Sequence, residues 1–159
     1  MVSLIVAMTK ERVIGKDNTL PWHIPAEFQH FKNATKDSTV IMGRKTYVSL
    51  PEKFRPLPGR KNVVISRNFS SADDIDICAN IREGIEKAKT YNQPIFIIGG
   101  ASLYLQSLEQ ELVDKMHISY VKGDYAGDSY FPNFNKEDWE IEKEEDNSEY
   151  TLIVYRRKR

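Results

Sequence analysis

The sequence predicts an α/β fold on a mixed, mostly parallel sheet with an antiparallel C-terminal edge. Three observations predict it. Short apolar runs rich in β-branched residues recur along the 159 residues. Segments with helical apolar spacing lie between them, and the last two runs flank one polar, acidic stretch. Val2–Ala7, Thr39–Met42, Asn62–Ser66 and Ile95–Ile98 have strand length. Their nearly continuous apolar character predicts burial on both faces, as in parallel strands. Met116–Val121 continues the series, and Trp139–Lys143 with Tyr150–Arg156 predicts an edge hairpin around Glu144–Glu149. Between the strands, Pro25-Ala26-Glu27 opens a helix, with proline suited to the first turn and Glu27 facing the positive helix end. Phe28 and Phe31 are expected to give that helix an apolar face. Ile81, Ile85 and Ala88 recur at i, i+4, i+7 and predict a second helix. A third is expected over about Ser102 to Leu108, and a shorter one after Gly43.

Nothing divides this chain: it has no repeat, no low-complexity tract and no Ser/Gly linker, so one domain over 1–159 is expected. Hydrophobic residues at 40% and charged residues at 29% are the balance of a globular domain. Lys+Arg and Asp+Glu both number 23, which argues against a nucleic-acid partner held by bulk charge. The single cysteine, Cys78, cannot close an internal disulfide and fits a reducing compartment. The N-terminal apolar run is too short for a signal or membrane segment, so a cytoplasmic protein is expected. His23, His30 and His117 lack partners at ligand spacing, and no metal site is expected.

Two segments share one design of apolar strand, glycine and helix start: Val40-Ile41-Met42-Gly43-Arg44-Lys45-Thr46 and Ile95-Phe96-Ile97-Ile98-Gly99-Gly100-Ala101-Ser102. Glycine lets backbone approach a ligand, and unpaired N–H groups at a helix start attract anions. Two such turns at the carboxyl ends of neighbouring strands suit a diphosphate; taken singly, each is equally a tight turn. The GxGxxG dinucleotide fingerprint is absent. Ser66-Arg67-Asn68 ends the next strand where an acidic ribose contact would stand, and with Arg44 and Lys45 it favours NADP over NAD. From Lys53 to Arg67 there are five cations and no acid, and Arg60 ends a loop stiffened by Pro56 and Pro58. Arg60 could fork onto a carboxylate, or stand on a rigid loop without a ligand. Glu27, beside Leu20-Pro21-Trp22 and the two phenylalanines, could bind a nitrogen base with a raised pKa, or be an ordinary helix-start acid in water.

Together these segments resemble the dihydrofolate reductase family over essentially the whole chain. The matching pieces are Val13-Ile14-Gly15 with Leu20-Pro21-Trp22, Ile41-Met42-Gly43-Arg44-Lys45-Thr46, Leu57-Pro58-Gly59-Arg60-Lys61-Asn62, Ile98-Gly99-Gly100 and Gly127-Asp128-Ser129-Tyr130-Phe131-Pro132. The resemblance implies eight strands flanked by four helices, and NADPH and dihydrofolate meeting in one cleft. It implies hydride transfer from nicotinamide C4 to pterin C6 with protonation at N5. Glu27 stands at the family's active-site acid, with Trp22 and Leu20 in the catalytic lid expected over 14–24. Ile5, Ala7, Phe28, Phe31, Leu50, Leu57 and Ile98 would line the substrate side. Arg60 would take the α-carboxylate of the glutamate tail, and Ser119 would bond the acid. Ala7, Ile14, Gly15, Leu20, Gly43, Arg44, Lys45, Thr46, Ser66, Arg67, Gly99, Gly100, Ala101, Ser102, Leu103 and Tyr104 would form the NADPH side. A monomer that also binds antifolates is the family expectation. Two departures stand out: many bacterial relatives carry aspartate where Glu27 lies, and Pro51-Glu52-Lys53-Phe54 lengthens the loop before Arg55. Two rivals are a pyrimidine-type reductase on the same fold, which needs neither Glu27 nor Arg60, and a noncatalytic nucleotide-binding module.

Overall fold

The structure, a computed structural model, describes residues 1–17, 19–70 and 73–159. In chain order its elements are β1 (Val2–Met8), β2 (Val13–Gly15), α1 (Pro25–Thr35), β3 (Thr39–Gly43), α2 (Arg44–Ser49), β4 (Lys61–Ile65), β5 (Asp76–Cys78), α3 (Ile81–Lys89), β6 (Ile95–Ile97), α4 (Ala101–Glu109), β7 (Lys115–Val121), β8 (Ser129–Tyr130), β9 (Trp139–Asp146) and β10 (Tyr150–Arg157). Short 3₁₀ turns cover Glu52–Phe54 and Lys136–Asp138.

Eight strands form one sheet in the order β5-β4-β3-β6-β1-β7-β10-β9, and β2 pairs with β8 apart from it. Pairings from β5 across to β7 are parallel, while β10 runs antiparallel to both β7 and β9. The mostly parallel sheet, the antiparallel C-terminal edge and the four helices agree with the expected fold class.

Side-chain alternation along β1 divides the interior into two layers. Val2, Leu4, Val6 and Met8 point to the layer that also holds Ile81, Ile85 and Ala88 of α3 and Leu103 and Tyr104 of α4. Ile5 points to the opposite layer, with Val40, Met42, Tyr47, Val64 and Phe96, against which Phe31 and Ala34 of α1 are packed. Fully burying each such aliphatic side chain stabilises the fold by about 1.5–3 kcal/mol, so the parallel centre supplies much of the driving force. Apolar residues on both faces explain why these strands read as unbroken hydrophobic runs. Asn80 caps α3 by accepting from the Glu83 amide at 2.9 Å, and Gly84 lets the helix approach β4 so closely that a Cβ would lie 2.5 Å from Ile65 Cδ1.

The structure differs from the sequence reading at several elements. β2, β5 and β8, each two or three residues long, carry no periodic signal. β9 runs on to Asp146, although only Trp139 along it is buried, because pairing to β10 continues through the acidic residues. Phe28 does not share the apolar face of α1: it is 51% exposed, with the Lys32 ammonium 5.3 Å from its ring centre. The buried residues of α1 are Glu27 and Thr35, with Phe31 half-buried on the same side. Residues four apart share a helical face and residue 28 lies off that line, so phenylalanine was a poorer guide to orientation than the acid.

Candidate active site

Glu27 is the third residue of α1, and helix geometry turns it inward over β7. It is 7% exposed. The Ser119 hydroxyl, itself buried on β7, donates to its carboxylate. Burial pushes the Glu27 carboxyl above its ordinary value, and the Ser119 bond opposes the shift without cancelling it. Ser119 pairs across the sheet with Ala7 of β1 and Leu152 of β10, so the acid stands over an apolar floor. Ile5, Phe31, Leu50, Leu57 and Ile98 belong to one apolar cluster beside it. Phe28 lies at the exposed rim. Glu27 is thus a buried carboxyl rather than a solvated helix-start acid, with half-buried Phe31 one turn along on the same side of α1.

Thr35 and Arg60 close the far end of this side. Thr35 Oγ1 donates to the Phe31 carbonyl at 2.8 Å, which fixes it at the end of α1. Arg60 Nε donates to the same Thr35 oxygen at 3.0 Å, and Nη1 donates to the Pro58 carbonyl at 2.7 Å. Asn62 holds the loop itself, accepting from the Leu57 amide at 2.9 Å and donating to the Leu57 carbonyl at 3.1 Å. Arg60 is thus pinned on one edge and half-buried, the condition under which a guanidinium grips a carboxylate with little further loss of freedom. Thr35 has no part in the sequence reading, and Asn62 enters it only within a strand and a matching segment, not as the residue that holds the loop; a hydroxyl four residues after Phe31 on the same helix face was the available signal for the first.

Across the cleft, the carboxyl ends of β3 and β6 meet, and the Gly43 amide donates to the Gly99 carbonyl at 2.9 Å. The Gly99-Gly100 peptide is cis, and Gly99 has φ +128°, a conformation suited to glycine. Cβ atoms added at Gly99 and Gly100 would lie 3.5 and 3.4 Å from Thr46 Oγ1, so the missing side chains leave backbone bare at the turn. Gly43 and Gly100 cap α2 and α4 without a side-chain acceptor, and neither helix has an acid in its first turn. Their leading amides remain available to an anion. Arg44, Lys45 and Arg67 are exposed, Ser66 and Ala101 are half-buried, and Ser102 is exposed on α4. Leu103 and Tyr104 point into the core, which leaves their backbone, not their side chains, on the cleft. The Tyr104 hydroxyl donates to the Ile5 carbonyl at 2.7 Å, tying α4 to the floor of the substrate side.

The segment expected as a lid runs along the mouth. Ile14 and Gly15 lie in β2, paired to β8, and Lys16 and Thr19 exchange backbone bonds of 2.8 and 2.9 Å. Residue 18 of the expected lid lies outside the described residues. Asp128 clasps the segment twice: its amide donates to the Gly15 carbonyl at 3.0 Å, and its carboxylate accepts from the Asp17 amide at 3.0 Å. Gly127 permits this approach, because a Cβ there would lie 2.4 Å from Val13 Cγ1. Leu20 is 49% exposed at the mouth, whereas Trp22 is buried, edge-on to Tyr125 at 5.5 Å, with its Nε1 buried and bonded to no described residue. Among the described residues, no group of three or more His, Cys, Asp or Glu side chains could hold a metal ion, and no helix is long and apolar enough to cross a membrane.

Comparison with known proteins points the same way. The family profile described as dihydrofolate reductase matches residues 1–157. Dihydrofolate reductase of Haemophilus influenzae is 39% identical over 143 residues, 90% of this chain and 86% of that protein. Dihydrofolate reductase type 3 of Salmonella typhimurium is 37% identical, covering 88% of this chain and 83% of its own. Dihydrofolate reductase of Staphylococcus haemolyticus is 35% identical across 98% of this chain and 95% of that protein. A sheet of this order and a sequence match along nearly its full length make this chain a member of the dihydrofolate reductase family.

Proposed function

We propose that this chain, acting as a single domain over 1–159, reduces 7,8-dihydrofolate to tetrahydrofolate with NADPH and so feeds one-carbon metabolism. The observation that carries the reading is Glu27: one carboxylate, buried, bonded to Ser119 and, among the described residues, in no salt bridge. Such a group is poised for a flat heterocycle that offers adjacent N–H donors, as a pterin does through its 2-amino group and N3.

The residues present fit NADPH. The bare backbone at Gly99 and Gly100, the uncapped start of α4, and Gly43 with Thr46 suit its diphosphate. Arg44, Lys45, Ser66 and Arg67 suit the phosphorylated ribose, and Ala7, Ile14, Gly15 and Leu20 border the nicotinamide side. When bound, NADPH supplies the hydride, from nicotinamide C4 to pterin C6. Glu27 orients the pterin and favours its protonated ring, with water carrying the proton to N5. Ile5, Phe31, Leu50, Leu57 and Ile98 exclude solvent from the ring, and Phe28 flanks the outer portion. Arg60 takes the α-carboxylate of the glutamate tail. Closure of the segment holding Leu20 and Trp22 shields the reacting faces from water. The protein's contribution is placement and field, with no covalent step on a side chain. The same reading makes the enzyme a cytoplasmic monomer whose substrate pocket accepts antifolates in place of dihydrofolate.

The test mixes purified protein, NADPH and dihydrofolate and follows the loss of reduced-nicotinamide absorbance. Turnover that needs both compounds is expected. NADPH binding without turnover would refute the reading and leave a nucleotide-binding module.

A further inference from the structure

One helical turn along α1 from Glu27 stands His30, and two residues before Ser119 on β7 stands His117, near enough for His30 to act on it electrostatically; neither takes part in the chemistry described above. His30 follows Glu27 by three residues, about 4.5 Å along the helix axis. His117 precedes Ser119 by two residues on the same face of β7, about 6.6 Å along the strand. The pair therefore repeats the Glu27–Ser119 contact one step further along both elements. His30 Nε2 is buried and bonded to no described residue. His117 stands edge-on to Phe96, with ring centres 5.4 Å apart, and lies between Ile5 of β1 and Val154 of β10 in the sheet.

The charges around the pair come from few elements. On β9, Lys143 lies in the same row as His117, with Glu145 one pair along and Glu142 at the bulge. On β7, Lys115 bonds Glu142 at 2.8 Å. On β10, Arg156 engages Glu140 and Glu142. On α1 the nearest acid is Glu27, while β1 and β6 present Ile5 and Phe96. Among the described residues, no acid is bonded to either imidazole. Burial holds both below the ordinary histidine value, His117 at about 4; Glu145 opposes the shift at His30 while Lys143 adds to it, and at His117 the neighbouring His30, Lys115 and Lys143 add to it against Glu142.

We propose that His30 and His117 are positioning residues for the substrate side of the cleft: neutral, they let α1 seat against β7 with Glu27 over Ser119, and a proton on either drives α1 from the sheet. Glu27, Phe31, Lys32 and Thr35 all ride on α1, and Thr35 holds Arg60. The NADPH side rests on α2, α4 and the glycine turns, none of which carries either histidine. Acid therefore weakens dihydrofolate binding and spares NADPH.

The proposal rests on the dihydrofolate reading for its kinetic assay, and the two can fail separately. Absence of turnover at pH 7.5 would refute that reading alone. Given turnover, the Michaelis constants for dihydrofolate and NADPH are measured from pH 7.5 to 5.5 in wild type, His30→Gln, His117→Gln and the double variant. His117→Phe, which keeps a ring against Phe96, replaces His117→Gln should that protein not fold. Because each pH unit below the ordinary histidine value costs up to about tenfold per proton excluded, the wild-type dihydrofolate constant should rise toward pH 5.5, by at most about a hundredfold for the two histidines. The NADPH constant should change less than about twofold. Glu27 is common to all four proteins, so its own titration cancels when each is divided by its value at pH 7.5. That ratio should flatten in the double variant; an acid rise equal to wild type in the double variant would overturn the proposal. Independently of turnover, the imidazole resonances of His30 and His117 should titrate below the free-histidine range and move lower still with folate bound, and titration of both at the free value would overturn it.

Discussion

Replacing Arg60 with alanine deletes a guanidinium whose donors are only partly taken up by the protein. Three of its N–H groups are engaged: Nε with Thr35 Oγ1 at 3.0 Å, Nη1 with the Pro58 carbonyl at 2.7 Å, and Nη2 with the Lys32 carbonyl at 3.5 Å. Arginine has five such donors, so one remains on each terminal nitrogen, the pair a carboxylate takes side by side. A hydrogen bond to a charged group contributes about 1.5–3 kcal/mol. Because Arg60 is half-exposed, the fork is better set at about 2–3 kcal/mol than at twice one bond. At about 1.4 kcal/mol per decade, dihydrofolate binding should weaken roughly 30- to 150-fold. Arg60→Lys keeps the charge and loses the fork, and should lie between, near tenfold. The assay is equilibrium binding of folate, of pteroic acid, which lacks the glutamate, and of NADPH to each variant. Folate should lose its advantage over pteroic acid while NADPH affinity is unchanged. An equal loss for folate and pteroic acid would refute the tail contact, and an equal loss for NADPH would mean the loop had collapsed.

Three further substitutions test other parts of the cleft. Glu27→Gln should lower kcat/KM at neutral pH by about 10²- to 10⁴-fold, with NADPH affinity unchanged. The same variant carries a stability test: the Glu27 carboxyl titrates higher in the folded chain than at its ordinary value of 4.5, so wild type loses stability as pH rises from there through the folded value. Glu27→Gln lacks that loss, and its Tm should gain on wild type over that window; a constant Tm difference from pH 4 to 8 contradicts the burial argument. Gly127→Val would drive a side chain to 2.4 Å from Val13 and 2.5 Å from the Gly15 carbonyl. It should unfasten the segment at the mouth and slow turnover by about tenfold or more in single-turnover kinetics, with a stability cost of about 1–3 kcal/mol. Tyr104→Phe leaves the buried Ile5 carbonyl without its hydroxyl donor and should cost about 1–2 kcal/mol in denaturant unfolding, which an unchanged midpoint would contradict.

The central strands were legible because burial on two faces writes itself as unbroken apolar runs, and α3 because Ile81, Ile85 and Ala88 repeat at helical spacing. β5, with one apolar side chain between Asp76 and Cys78, is a strand only because β4 offers an edge, a fact of pairing and not of pattern. The glycine turns could be found from sequence since few other residues follow a buried strand so tightly. Glu27 could not be told from a solvated helix-start acid by its neighbours, because Ser119 and Leu152, which help decide its surroundings, lie far along the chain. Phe28 misled for the complementary reason: hydrophobicity alone does not say which side of a helix faces inward. The clasp by Asp128 and the anchoring of Arg60 by Thr35 are likewise long-range contacts, absent from any local spacing.

The eleven residues of α1 span about 16 Å and bear the buried acid near one end and the anchor for Arg60 at the other. In the proposed reading, head-group recognition and tail recognition are thus mounted on one stiff bar. A substitution that tilts the bar cannot relax one without disturbing the other, so escape from a compact inhibitor through this helix should carry a penalty against the elongated natural substrate. Changes in the mouth segment or the glycine turns bear no such linkage, and adaptation should collect there.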